Sequence, residues 1–174
     1  MSLHVIIDGY NVIRRSNQLS ILDLQDIQDG REGLQDMMAA YRQTRGHRIT
    51  IVFDGQHASH LGVQRHRVHG MQVLFSGTGE TADDVIKRMV AKEGERALIV
   101  SSDRDIISFA ASRGAATIGA REFEQKVSAA LYSNTSARKG DQGDYGWRPT
   151  TRKKGPSRRL PKRKRRNNRK LVKL

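Results

Sequence analysis

Cysteine is absent from the 174-residue chain, which removes disulfides and thiolate-held metals from the ways its fold can be stabilised. Long apolar runs are absent too: nothing approaches the roughly 18 consecutive residues of a membrane span. The first residues, Met1 to Val5, lead straight into a strand-like segment without a basic n-region and cleavage site, so no secretory signal is expected. Together these absences predict a soluble, cytoplasmic protein with no membrane partner. Proline is scarce, and its three occurrences, Pro149, Pro156 and Pro161, all lie near the C-terminus.

What is present is positive charge, unevenly placed. Residues 1–135 hold 16 Lys+Arg and 16 Asp+Glu, whereas residues 136–174 hold 16 Lys+Arg against 2 Asp+Glu and so carry the full net charge of +14. That asymmetry describes a neutral folded body, 1–135, joined to an arm that seeks polyanions. The arm has too few apolar residues to build a core, and it is expected to stay disordered until a partner binds. Its dense cations, Arg152, Lys153, Lys154, Arg158, Arg159, Lys162, Arg163, Lys164, Arg165 and Arg166, suit phosphate neutralisation along RNA. It lacks the apolar face that membrane binding would need.

In the body, short apolar runs alternate with amphipathic stretches. Leu3–Ile7, 48–53, 71–75, 97–100 and a weaker 116–118 read as buried strands. Helices are expected over 29–44, capped by Asp29 and ended by Gly46, then over 81–93, 103–112 and 121 to about 133. The stretch 56–70 is ambiguous, with a short strand near 63–68. Strands alternating with helices imply an α/β three-layer sandwich, a mostly parallel central sheet with helices on both faces.

The acidic residues that matter follow strands. Asp8, Asp54 and Asp103 each stand after an apolar run, and Asp83 and Asp84 open the helix after the third one. Open α/β sheets bind ligands outside the carboxyl ends of their strands, so these acids converge at one rim although far apart in sequence. Gathered carboxylates call for a cation, and an all-oxygen donor set suits Mg²⁺ or Mn²⁺, which hold scissile phosphates and activate water. An Asp after a strand also serves as a turn former or cap. Thr81 and Asp84 have capping-box spacing, leaving Asp83 freer to face the rim; Ser102 and Asp105 repeat that spacing around Asp103.

Ile6-Ile7-Asp8-Gly9-Tyr10-Asn11-Val12-Ile13, Val52-Phe53-Asp54-Gly55, Gly79-Glu80-Thr81-Ala82-Asp83-Asp84 and Val100-Ser101-Ser102-Asp103-Arg104-Asp105 resemble, in order and approximate spacing, the motifs of NYN domains of the YacP-like group. The resemblance covers residues 3 to about 132. It implies a PIN-like nuclease fold, a Mg²⁺ or Mn²⁺ site built from aspartates, and endoribonuclease activity; the partner expected for the chain is RNA, either mRNA or rRNA. Carried over, Asp8 is the first-strand metal ligand with Asn11 orienting the ligand or water, Asp83 the mid-chain acid and Asp103 the acid after the fourth strand. Asp105 is a fourth candidate ligand, and Asp54, Asp84 and Ser102 stand as supporting neighbours. The resemblance is silent on the tail.

Other chemistries lack their motifs: there is no G-x-x-x-x-G-K-[ST] phosphate loop and no G-x-S-x-G elbow. His57, His60, His66 and His69 are unevenly spaced for zinc and read better as a solvated loop. On the same stretch, Arg65 and Arg67 share one face of a strand with His69 and are candidate RNA contacts. The rival to an enzyme is a non-catalytic RNA- or ribosome-binding protein, whose tail resembles ribosomal-protein extensions. Such a module has no need to gather Asp8, Asp83 and Asp103 where RNA docks.

Overall fold

The computed structural model describes residues 3–55, 62–137 and 161–174, with side chains omitted at 134–137 and Arg163. Six strands form one sheet in the order β3-β4-β2-β1-β5-β6. β1 (His4–Asp8), β2 (Arg48–Phe53), β4 (Met71–Phe75), β5 (Ala97–Val100) and β6 (Ala116–Ile118) run parallel, and β3 (Gln64–Val68) lies antiparallel on the β4 edge. The α/β sandwich expected from the sequence is present.

Alternation along the strands divides the core in two. Val5 and Ile7 of β1 pack with Leu34, Met38, Tyr41 and Phe123 on one face. Ile6 packs with Val85, Ile86, Val90, Ile106 and Ala110 on the other. A strand buried on both sides is apolar at most positions, and this is why β1, β2 and β5 read as near-continuous apolar runs, with buried His4 and Thr50 bonded to each other at 2.8 Å. The first face is covered by α1 (Gly9–Arg15), α3 (Ile27–Arg45) and α6 (Ala120–Ala137), the second by α4 (Ala82–Glu93) and α5 (Arg104–Ser112), with α2 (Leu19–Gln25) packed on α3.

Several local expectations need correction. α1 and α2 are not visible in the sequence pattern, because each has only seven residues and too few turns to show a period. α3 starts at Ile27, capped by Asp26, whose side chain accepts the Gln28 N–H at 2.7 Å. Asp29 therefore lies inside the helix, and Glu32 takes a hydrogen bond from the Gln28 amide rather than reaching back to a cap. Gly46 ends α3 in the left-handed conformation (φ 64°), as its glycine suggests. Gly9 is required for another reason: a Cβ there would sit 2.3 Å from Cε1 of Phe53.

The largest difference concerns the tail. Its last part forms α7 (Lys162–Leu171) and docks on the body. The Asn167 side chain accepts the Thr117 N–H at 2.8 Å and donates to the Thr117 carbonyl at 3.2 Å, extending the β6 edge by one surrogate residue. Leu174 is buried in the first core, and its carbonyl accepts the Tyr41 hydroxyl at 3.1 Å. His47 donates to the Lys173 carbonyl at 3.0 Å. Disorder throughout 136–174 is thus corrected for 136–137, which end α6, and for 161–174, where Leu174 is buried in the first core, Leu171 packs against it and Asn167 bonds to β6. Residues 138–160, which include Arg152, Lys153, Lys154, Arg158 and Arg159, lie outside the described residues.

Candidate active site

At the carboxyl rim of the sheet, an open cavity of about 660 Å³ is lined by Asp8, Asp54, Asp83 and Asp103 together with Asn11, Thr81 and three arginines, Arg14, Arg15 and Arg121. Four of the acids singled out in the sequence are therefore brought together.

Asp8 ends β1 and caps α1. Its Oδ1 accepts the Asn11 N–H at 3.3 Å, and its Oδ2 accepts the Ser101 hydroxyl at 2.9 Å. The same Ser101 Oγ accepts the Asp103 N–H at 3.1 Å, so one buried hydroxyl links the two acids that end β1 and follow β5. The Asn11 side chain works on the backbone: its Oδ1 accepts the Ser102 N–H at 2.9 Å and ties the loop after β5 to α1. Asp103 caps α5, with Oδ1 accepting from the N–H groups of Asp105 (2.7 Å) and Ile106 (3.3 Å). The helix therefore starts one residue later than Ser102–Asp105 capping would require, and Ser102 instead accepts the Ala120 N–H at 3.2 Å.

In the first turn of α4 the structure separates two neighbouring acids. Thr81 and Asp84 form the capping box: the Thr81 hydroxyl accepts the Asp84 N–H at 3.2 Å, and Asp84 Oδ2 accepts the Thr81 N–H at 3.1 Å. The Thr81 N–H and the Thr81 hydroxyl, both donating to Asp84 Oδ2, hold its carboxyl below its ordinary range. Asp83 makes no such bond and faces the cavity. Asp54 accepts the Ser76 hydroxyl at 2.8 Å, while Ser76 Oγ accepts the Gly55 N–H at 2.9 Å. It is held by its loop as well as exposed to the cavity. Asp105 is turned outward, 74% exposed and paired with Lys87, and does not line the cavity.

The electrostatics follow from burial and crowding. Burial pushes the Asp8 carboxyl from the ordinary 3.8 up to about 6; the Ser101 and Asn11 hydrogen bonds oppose this, and the nearby Asp83 and Asp103 charges add to it. Asp83 is also raised, first by burial and then by Asp103, with Lys87 opposing. No ion pair to Asp8, Asp83 or Asp103 exists among the described residues. The donors are oxygens only, which fits Mg²⁺ or Mn²⁺. No three His, Asp or Glu side chains among the described residues close into a cage by themselves. An ion held here would keep water or phosphate oxygens in its shell, as Mg²⁺ commonly does.

Residues missed by sequence reasoning include Ser101, Arg14, Arg15 and Arg121. Ser101 directly follows β5, and Arg121 comes three residues after β6 ends, so the logic that finds the aspartates could find both. Arg14 and Arg15 close the unanticipated helix α1. Tyr10 is a further omission; its hydroxyl accepts from Arg31, whose guanidinium lies 5.4 Å from the Tyr10 ring centroid and 5.2 Å from that of Phe75.

The other expected RNA contacts lie elsewhere. Arg65 and Arg67 on β3, with Arg42, His47, Arg48 and Gln72, line a second cavity of about 570 Å³ at the opposite, amino end of the parallel strands. Lys162, Lys164, Arg165 and Arg166 are exposed on α7, Arg166 being paired with Glu95. His69 sits in a turn (φ 49°), beyond β3, with Nε2 3.6 Å from Asp36, whereas His66 packs edge-on to Phe75. His57 and His60 fall outside the described residues.

Comparison with known proteins bears on the family and the fold. The uncharacterized protein YacP of Bacillus subtilis (strain 168) is 33% identical over 88 residues, a stretch that spans 49% of this chain and 49% of that protein. The crystal structure of Rae1 (YacP) from Bacillus subtilis superposes with a TM-score of 0.64 at 27% identity, covering 79% of each chain. A crystal structure of a tryptophan-to-leucine mutant of the same Bacillus subtilis protein gives 0.66 at 26% identity, covering 79% of this chain and 81% of that one. The YacP-like NYN domain matches residues 5–172, reaching past residue 132 and through α7, so the docked C-terminal helix lies within the family pattern. The chain belongs to the YacP-like NYN domain family, a family of nuclease type.

Proposed function

We propose that this protein is a metal-dependent endoribonuclease that hydrolyses RNA phosphodiester bonds at the aspartate rim. One observation carries the reading: Asp8, Asp83 and Asp103 come from three separate segments and line one open cavity, where the Asp8 and Asp83 carboxyls are raised by burial and by the neighbouring acids with no ion pair among the described residues to relieve them. Crowded acids of this kind are a costly arrangement for a fold unless a cation uses them.

Asp8, Asp83 and Asp103 would hold Mg²⁺ or Mn²⁺, which supplies Lewis-acid polarisation of a phosphate oxygen and a lowered pKa for bound water. The chain's own groups do the positioning. Ser101 holds Asp8 and the Asp103 backbone together, and Asn11 pins the loop after β5. Asp54, secured by Ser76, closes the β2 side. In the metal-free protein Asp8 is half ionised near pH 6 and becomes fully anionic only at higher pH, so metal loading, and activity with it, would rise through that range.

The body 1–135, completed by α7, is the catalytic unit in this reading, and the basic C-terminal segment holds RNA. The exposed cations of α7 and those beside Arg65 and Arg67 offer phosphate contacts without base-reading order. mRNA or rRNA, free or presented by the ribosome, is the substrate, and the cytoplasm is the place of action. No helix among the described residues is long and apolar enough to cross a membrane.

The deciding experiment is incubation of purified protein with end-labelled RNA in Mn²⁺, Mg²⁺ or EDTA, beside the Asp8→Asn variant. Cleavage that needs the metal and Asp8 is expected. RNA retained without cleavage under all conditions would replace the enzyme by the binding-only reading.

A further inference from the structure

The aspartate cavity continues beyond the acids. A second hollow of about 630 Å³ adjoins it, and the two share Arg15 and Arg121 as common walls. The second hollow runs between the start of α2 and the outer face of α6, where Asn17, Gln18, Gln125 and Ser128 line it. Neither Arg15 nor Arg121 makes an ion pair among the described residues, although four carboxylates line the cavity beside them. Arg14, the third arginine at this rim, overlies the Tyr10 ring, 5.5 Å from its centroid.

We propose that this groove is the subsite for the nucleotides flanking the scissile phosphate in single-stranded RNA, with Arg15 and Arg121 gripping the backbone as it leaves the aspartates. The inference rests on the nuclease reading for the identity of the strand. It adds where that strand lies and which residues hold it.

The chemistry of the walls is that of an oligonucleotide. Two exposed guanidiniums present forked donors suited to phosphate oxygens. Beyond them, the Asn17, Gln18 and Gln125 amides each offer a donor and an acceptor side by side, matching the edge of an unpaired base. A paired base hides much of that edge, which favours a single strand. The one acid in the second hollow, Glu124, accepts the Ser16 hydroxyl at 2.5 Å. That bond keeps the carboxylate engaged with the end of α1 and helps to fix the groove wall. Ser16 is itself buried, and its Oγ also accepts the Leu19 N–H at 3.2 Å. The two walls are therefore braced against each other before any ligand arrives, which reduces the ordering cost of binding.

The test separates the groove from the chemistry by measuring binding without metal. A fluorescent single-stranded RNA oligonucleotide of about a dozen nucleotides, long enough to span a site of the size usual for single-strand binders, is titrated in EDTA. It is titrated against the full chain and against Arg15→Gln, Arg121→Gln and, as an equal loss of charge away from the rim, Lys92→Gln. Each rim variant is expected to bind about 5- to 10-fold more weakly and to reduce the slope of log affinity against log salt by roughly 0.7. Lys92→Gln is expected to match the wild type. Ser128→Trp, placed to fill the exposed second hollow, should weaken binding without removing charge, and thermal melts confirm that each variant is folded. Wild-type affinity in both arginine variants, or an equal loss in Lys92→Gln, overturns the proposal. Arginine-dependent binding by a chain that cleaves nothing in Mn²⁺ would sustain the groove while overturning the nuclease reading.

Discussion

Replacing Asp8 by asparagine should stabilise the metal-free protein at neutral pH, although it removes the residue on which catalysis is proposed to depend. Burial and the neighbouring acids raise the Asp8 carboxyl from 3.8 to about 6. At about 1.4 kcal/mol per unit, holding this group ionised costs the fold up to ~3 kcal/mol. Asparagine keeps one oxygen to accept the Asn11 N–H, and its amide NH2 can donate to the Ser101 hydroxyl oxygen in place of Oδ2, so most of that cost should be recovered, as a rise of roughly 5–10 °C in Tm. The sign gives the pH profile. The folded pKa lies above the unfolded one, so the contribution is fully present below about pH 4 and is lost as pH rises through about 6. Wild type and Asp8→Asn should therefore melt together near pH 4 and diverge up to a plateau above pH 6. Adding Mn²⁺ or Mg²⁺ should close the gap by stabilising the wild type alone. Melting curves from about pH 4 to about pH 8, with EDTA and with metal, check all three features. A variant less stable than the wild type in EDTA at mildly alkaline pH would refute the electrostatic account.

Three further outcomes are expected. Asp83→Ala should stay folded and lose at least about a hundredfold in cleavage rate, whereas Asp84→Ala should lower the melting temperature slightly and leave the activity of the folded protein intact; the reverse pattern in a paired assay would exchange their roles. Leu174→Ala should cost about 2 kcal/mol in denaturant unfolding, because that side chain is 4% exposed in the main core, and no change would mean that the C-terminus does not dock. Changing Lys162, Lys164, Arg165 and Arg169 of α7 to glutamine should flatten the salt dependence of RNA binding by roughly 0.7 per lost contact while cut positions stay fixed. Cut-site mapping that shows a shift would mean that α7 selects sequence.

The strands are legible because a two-sided parallel sheet forces near-continuous apolar runs, and each run here has turn or cap residues after it. The acids are legible for the same reason: Asp8, Asp54 and Asp103 are defined by where strands stop. The Thr81–Asp84 box is readable because its partners lie three residues apart on one element. What escapes depends on tertiary contacts. Ser102–Asp105 shows the same spacing, yet Asp103 takes the cap because Ser102 is occupied by Ala120 and Asn11. α1 is set by Asp8 and by the close approach of Gly9 to Phe53, contacts that a short helix does not advertise in its own period. The docking of α7 depends on Asn167 and Leu174 meeting groups 50 and 133 residues away. Composition averaged over the tail weighs those two residues far below its arginines and lysines.

That docking changes the meaning of the charge asymmetry. Read along the chain, +14 resides in an arm that follows a neutral body. In space, the residues that follow α7 end against Tyr41 and His47, and His47 also lines the basic cavity that holds Arg42, Arg48, Arg65 and Arg67. The main-chain carbonyl of Lys173 thus reaches a residue of that cavity at the amino end of the strands, while the aspartates stand at the carboxyl end. A five-residue strand such as β1 separates the two by about 16 Å, or roughly twice the screening length at physiological salt. Basic residues at that distance attract RNA without relieving the repulsion among Asp8, Asp83 and Asp103. In keeping with this, Asp8 remains raised and no lysine or arginine stands among the main influences on it. Had α7 folded over the acids instead, its cations would have neutralised the site that a cation is proposed to fill. On the proposed reading, the cations of the amino pole would draw RNA toward the domain, while Arg15 and Arg121 would grip the strand beside the acids that hydrolyse it.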